Sequence, residues 1–414
     1  MITKLKALGP GLLFAGAAIG VSHLVQSTRA GADFGLGLIW ALVLVTLFKY
    51  PFFQYGPRYA AATGESLLEG YKKLGKGVLI AYYILTLGTM FVIQMAVTIV
   101  TAGIASSLFI DFEPISFGSH AISSVQIWSI IILLICLLLL ILGKYKLLDN
   151  LMKVIIITLS ISTVVAVAMA LFNNTTPLSL TQVLPENSLE ITFLIAFMGW
   201  MPAPLDISIW HSLWAIEKKK DHNSFSTKKA LFDFNMGYFS TIFLGIGFVL
   251  LGALVMYGSG ETFSNSAGVF AGQLIDMYTT SLGNWAYIII GLAAFTTMFS
   301  TTLTTLDASP RSMDRTTELL LKRPFKFGYL FWIVLLCIGT VCIFLFLASE
   351  MGLLIKIATI LSFITAPFYA IVNYRLISSK HTPKQWHPSR NLHVLSWLGI
   401  LFLIGFSVWY LTTL

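Results

Sequence analysis

The chain has 414 residues, of which 57% are hydrophobic and only 11% charged, and its formal net charge is +8. A soluble domain carries roughly 25% charged residues, so this composition excludes a soluble enzyme and points to an integral membrane protein. The basic excess does not signal a nucleic-acid partner, because lysine and arginine fall in short connections between apolar runs, where they set orientation.

A helix needs about 20 apolar residues to cross the hydrocarbon core. That window predicts about eleven transmembrane spans, at 9–31, 35–56, 78–108, 121–143, 148–172, 190–216, 229–257, 284–308, 327–348, 350–376 and 393–413. Placing the N-terminus in the cytoplasm collects nearly all of the basic residues on the inner side, from Lys4 and Lys6 through Lys72, Lys73, Lys144 and Lys218–Lys220 to Arg390. Arg29 falls outside and Lys356 within span ten. The sorting predicts a multi-pass protein of the cell (inner) membrane with an extracytoplasmic C-terminus. Cys136, Cys337 and Cys342 all sit in apolar runs and read as packing residues. The Asn173-Asn-Thr-Thr run is of glycosylation type and carries no weight.

Two spans read as broken. In span one, Gly16 and Gly20 precede the polar run Ser22-His23, then Gln26-Ser27-Thr28. In span six, Pro202 and Pro204 stand one residue apart in Met201-Pro-Ala-Pro-Leu-Asp206, and each removes an amide hydrogen and clashes with the preceding turn. Irregular backbone at membrane depth is tolerated where protein or a cavity shelters it. The breaks lie five spans apart, which predicts a single 1–414 domain of two inverted five-helix repeats (9–172 and 190–376) and an extra helix at 393–413. Matched interruptions of this kind mark the substrate site of a secondary transporter.

At these residues the sequence resembles the Nramp (natural resistance-associated macrophage protein) family of proton-coupled divalent-metal transporters. Gly9-Pro10-Gly11 is similar to the family's start of helix one, and Arg29-Ala-Gly-Ala-Asp-Phe-Gly35 with Ile39-Trp40 to the family's exit from that helix. Met201-Pro202 matches the first half of the helix-six motif Met-Pro-His-Asn, and His211-Ser212 comes about three residues late. The resemblance implies an all-α LeuT-type 5+5 inverted repeat with helices one and six broken, and a transport role by symport. It also identifies departures. Where the family has Asp-Pro-Gly-Asn in helix one, this chain has Gly20-Val21-Ser22-His23; Ala203 and Pro204 replace His-Asn. Of the family's metal-binding side chains only Met201 remains. The helix-three acids are absent, with Gln94 the one strongly polar residue there.

Ionisable groups within spans are costly and therefore candidates for function. Asp206, at the start of the resumed helix, reads as a cation ligand, a proton carrier or a cap of the half-helix. His23 reads as a metal ligand, a proton carrier or a histidine bonded to a backbone carbonyl. With Gly20, Ser22, Met201 and Ala203 these form the candidate substrate site. Thr297, Ser300, Thr301 and Thr304 share one face of span eight, and the resemblance implies a sodium or coupling-ion site there, with helix packing as the alternative. Arg29 and Asp33, with signs reversed from the family, are a candidate outer gate. Asp307, Asp233, Glu65 and Lys49 lie near the inner ends of spans and read as solvated interfacial or gate ion pairs. The expected partners are the lipid bilayer and a small cargo, with no nucleic acid. No resident cofactor is expected, only a cation bound in transit. The functions weighed are transport of an inorganic cation, above all a divalent metal; transport of a small organic solute such as an amino acid, with sodium coupling open; and a non-transporting sensor. No enzyme is expected; an intramembrane enzyme would need paired catalytic residues, for which only His23 and Asp206 are candidates.

Overall fold

The computed structural model describes residues 9–117, 120–142, 145–173, 179–221, 226–346 and 351–413. Lys4, Lys6, Lys144 and residues 174–176 of the Asn-Asn-Thr-Thr run lie outside them. The first span consists of α1 (Pro10–Ala18), a break at Ile19 and Gly20, then a π-helical turn (Ser22–Ser27) that runs into α2 (Thr28–Phe34), bent by 47° from α1. α3 (Ile39–Thr63) is the second span. A short amphipathic helix, α4 (Leu67–Leu74), opens with a capping box between Ser66 and Glu69 and leads into α5 (Lys76–Leu108), the third span. An antiparallel hairpin, β1 (Ile115–Phe117) with β2 (His120–Ile122), precedes α6 (Ser124–Ile141) and α7 (Tyr145–Asn173).

The sixth span is split. α8 (Ser188–Trp200) ends in an unwound stretch, Met201–Asp206, with a cis Met201–Pro202 peptide, and the chain resumes as α9 (Ile207–Asp221). α10 (Thr227–Val255), α11 (Ala267–Leu282), α12 (Tyr287–Leu321), α13 (Gly328–Phe346), α14 (Met351–Ile377) and α15 (Arg390–Thr413) complete the fold. Among the described residues, seven helices are long and apolar enough to cross a bilayer, and the bent first span makes an eighth. The other three predicted spans are the interrupted α8–α9; α7, with its apolar part at Ile157–Phe172; and α3, which carries Lys49 and Arg58.

The structure departs from the predicted spans in two ways. α12 continues past 308 to Leu321, because ion pairs Asp307–Arg311 and Arg315–Glu318 sustain it beyond the apolar run. Segments expected to be plain connections hold α4, the hairpin and α11. α11 is too short to register as a span, but it buries Phe270, Leu274 and Tyr278, each four residues on from the last, on one face.

Apolar contact alone does not join helices in lipid, so close backbone approach at small residues does much of the joining. Both halves of span one lie on α10 in this way. A Cβ at Gly11 in α1 would meet the Asp233 carbonyl at 2.1 Å, and one at Gly31 in α2 the Val249 carbonyl at 2.0 Å. Likewise α8 packs on α14 and α9 on α3, while α12 lies along α5. The breaks in spans one and six are thereby buried in protein.

Candidate substrate site at the paired helix breaks

The two breaks face each other. Ser22 Oγ lies 3.5 Å from the Pro202 carbonyl. Between them is a cavity of about 20 Å³, room for about one water molecule. Its walls are Ala17, Ala18, Val21 and Ser22 of span one, Trp200, Pro204, Ile207 and Trp210 of span six, Ile93 and Val97 of α5, and Thr301 and Thr305 of α12. The polar side chains lining it are three hydroxyls and two indoles; no carboxylate reaches it. Among the described residues no cluster of three His, Cys, Asp or Glu could hold a metal ion.

The predicted site residues divide by direction. Gly20 lies directly beneath Thr301, whose hydroxyl is 3.2 Å from the Gly16 carbonyl and 3.5 Å from that of Ile19. Ser22 Oγ lies 2.6 Å from both the Ala18 carbonyl and His23 Nδ1, and has one hydrogen to give between them; Nδ1 also lies 3.1 Å from that carbonyl. His23 turns away from the cavity. Its Nε2 is 2.9 Å from the Thr241 carbonyl on α10, and since a carbonyl only accepts, this bond requires a hydrogen on Nε2. Both ring nitrogens are thus engaged within the protein, as the carbonyl-bonded reading expects. Met201 also turns to α10, where a Cβ at Gly245 would meet its Sδ at 3.4 Å. Ala203 is buried and contributes its carbonyl.

Asp206 begins the resumed half of span six. The Ile207 N–H bonds to the Pro204 carbonyl at 3.2 Å, the Asp206 backbone carbonyl accepts the Ile209 N–H at 2.9 Å, and the carboxylate Oδ1 is buried with no partner. Five residues on, His211 stacks on Phe14 at 5.6 Å, and neither ring nitrogen has a partner. On α12, Thr297 donates to the Ala293 carbonyl, and Ser300 is buried. The span-eight hydroxyl nearest the break, Thr301, bonds directly to span-one carbonyls.

The reading of Lys49, Asp233 and Asp307 as solvated groups is corrected. Lys49 is fully buried and reaches the break of span six. Asp233 is buried and accepts the N–H groups of Gly9 and Gly11 at 3.0 and 2.8 Å, capping α1. Asp307 is buried between Arg311 and Tyr329. Glu65 alone keeps the partly exposed pairing expected, with Lys73 at 2.5 Å.

A second cavity, of about 290 Å³, lies above Ala196 and Ile355, at the helix ends opposite the lysine-rich loops. Gln26, Arg29, Thr192, Asn265 and Lys356 supply its polar groups. Arg29 does not close on Asp33. It donates to the Ser264 carbonyl at 2.5 Å and to Asn265 Oδ1 at 3.3 Å, and lies over the Phe270 ring, while Asp33 is exposed. Gln26 Oε1 and Arg29 Nε are buried without partners. Trp200, one turn on from Ala196, stands between the two cavities, fixed by its Nε1 donating to Ser362 Oγ at 2.8 Å. Arg29 and Lys356 are legible in the sequence as the two basic residues that fail the inside sorting; that they share a cavity is not.

Residues 11–413 match the family model described as natural resistance-associated macrophage protein-like. An uncharacterized protein of Pasteurella multocida (strain Pm70) is 35% identical over 416 residues, covering 99% of this chain and 92% of that one. Among solved structures, the chain is similar to a manganese transporter of Eremococcus coleocola, with a TM-score of 0.72 at 15% identity over 96% of this chain and 84% of that one. It is also similar to MhsT in complex with L-phenylalanine, with a TM-score of 0.67 at 11% identity over 98% of both chains. These likenesses show the LeuT-type fold.

Proposed function

Because this chain belongs to the Nramp family, whose members are transporters rather than enzymes, we propose that it carries its cargo by alternating access at the facing breaks of spans one and six. The observation that carries this reading is the meeting of two unwound segments at one enclosed cavity. The break of span one would mark the first repeat and that of span six the second, with the N-terminus in the cytoplasm as the basic loops indicate. The cargo closest to the family is a metal ion, and the manganese transporters among the structural neighbours support a divalent one. Ser22, Thr301 and Thr305 would then face it with the Pro202 carbonyl.

A specific observation favours a second cargo. The larger cavity carries two cations, Arg29 and Lys356, with an unpaired amide oxygen at Gln26 and apolar walls, and no acid lines it. That lining suits a small organic anion bearing a hydrogen-bond donor, and MhsT holds an amino acid on the same fold. The test is uptake into proteoliposomes of manganese and of a panel of small carboxylates and amino acids. Saturable manganese uptake abolished by Ser22→Val supports the metal; carboxylate uptake with no manganese uptake supports the anion. No uptake of any solute by protein shown to be folded overturns the transporter reading.

A further inference from the structure

α8 stops at Trp200 in mid-span, which leaves its last carbonyls without intrahelical partners and concentrates the negative end of its dipole there. In interrupted membrane helices such carbonyls coordinate a sodium ion or a proton carrier. Here they are already occupied. Lys49, from the middle of α3, places Nζ 2.7 Å from the carbonyls of both Met198 and Gly199, 3.1 Å from that of Met201 and 3.3 Å from that of Ala203. Carbonyls only accept, so the lysine must donate, and four acceptors gathered around one nitrogen suit an ammonium with its three hydrogens. Among the described residues no carboxylate lies within 4 Å of Nζ. The cage is therefore one of dipoles around a cation, not an ion pair.

We propose that Lys49 is a tethered cation filling a monovalent-cation site of span six, so that these four carbonyls take no ion from solution. The break of span one is closed in a parallel way, by the Thr301 hydroxyl on the carbonyls of Gly16 and Ile19. A buried ammonium on a four-carbon stem cannot leave with the cargo, so it holds the unwound stretch against α3 throughout the cycle. This holds whichever cargo is carried, since Lys49 does not line the cavity between the breaks.

The experiment compares thermal unfolding of the purified full chain in detergent with chloride salts of N-methyl-D-glucamine, sodium or methylammonium at equal ionic strength. The parent melts at one temperature in all three. Lys49→Met, which fills the space without the charge, melts about 5 °C or more lower in every salt. Lys49→Ala, which empties the cage, is lowered in N-methyl-D-glucamine and recovers in sodium or methylammonium, whose ions fit the vacancy. Parent-like stability of Lys49→Met overturns the proposal. So does a Lys49→Ala protein with the same melting temperature in all three salts, or one that yields no folded protein in any of them.

Discussion

By its resemblance in span one, Gly20 stands where the Nramp family would carry an acid, and the structure gives a steric reason why a side chain does not fit there. A Cβ at residue 20 would sit 2.8 Å from Thr301 Oγ1, 2.9 Å from its Cγ2 and 3.2 Å from its Cβ. Each is closer than the roughly 3.5–4.0 Å at which carbon contacts are favourable. Thr301 cannot yield cheaply, because its χ1 is stiff and its hydroxyl is bonded to the Gly16 and Thr297 carbonyls. Gly20→Ala is therefore expected to cost about 1–3 kcal/mol by overpacking. Thr301→Ala removes two of the three close atoms and by itself costs about 1 kcal/mol, the net worth of a typical hydrogen bond. In the double variant most of the Gly20→Ala penalty disappears, a coupling of about 1–2 kcal/mol. The assay is denaturant unfolding of the four proteins in one detergent, followed by tryptophan fluorescence. Strictly additive penalties, or a Gly20→Ala protein as stable as the parent, would refute the steric account. The same geometry sets the condition for restoring the family's acid: Gly20→Asp should fold well only together with Thr301→Ala.

Asp233→Ala removes the acceptor for the N–H groups of Gly9 and Gly11. Hydrogen bonds to a charged group are worth about 1.5–3 kcal/mol, so hydrogen exchange at residues 9–18 should rise by at least tenfold, with α12 unchanged; unaltered exchange would refute the capping role. Trp200→Ala removes the indole between the two cavities and its bond to Ser362. It should cost about 3–5 kcal/mol and let an impermeant thiol reagent entering from the larger cavity reach a cysteine at position 22, which stays protected while Trp200 is present. His23→Ala leaves the Thr241 carbonyl without its imidazole donor. It should destabilise the protein by about 1–3 kcal/mol without changing the affinity for cargo. A loss of cargo affinity at unchanged stability would return His23 to the site.

Much of the architecture can be read from the sequence because lipid imposes it. Apolar length marks the spans, and Pro202 with Pro204, or Gly16 with Gly20, marks where a span cannot stay helical. Lys49 shows where such reading stops. The apolar window puts span two at 35–56, with Lys49 close to an end; the helix runs Ile39–Thr63, which puts it near the middle. The end of that helix is fixed by Gly64 in a left-handed turn, beyond the apolar run and therefore outside the window. Asp233 escapes the reading for the opposite reason. It does lie near a helix end, but it faces α1, whose free N–H groups need it. His23 stays open in the sequence between ligand and carbonyl donor because the deciding atom, the Thr241 carbonyl, is 218 residues away in the chain. Contacts between distant spans carry no local signal, whereas hydrophobic length does.

The charges along the path allow the cargo's sign to be tested without knowing its identity. A solute entering the larger cavity meets Arg29 and Lys356. The two entry charges act on a cation and an anion with opposite sign, and on a divalent ion with twice the force. Charges lining a cleft change association rates by about 10–1000-fold, and the effect fades as salt rises. Arg29→Gln combined with Lys356→Gln should therefore slow the uptake of an organic anion, more at low ionic strength than at high. For a divalent cation the same pair should speed uptake. The measurement is the initial rate in proteoliposomes at two salt concentrations, for whichever solute is taken up. Equal rates in the parent and the double variant at low salt would show that the cavity with Arg29 and Lys356 is not the entrance, and would refute the assignment of Arg29 to the outer path for either cargo.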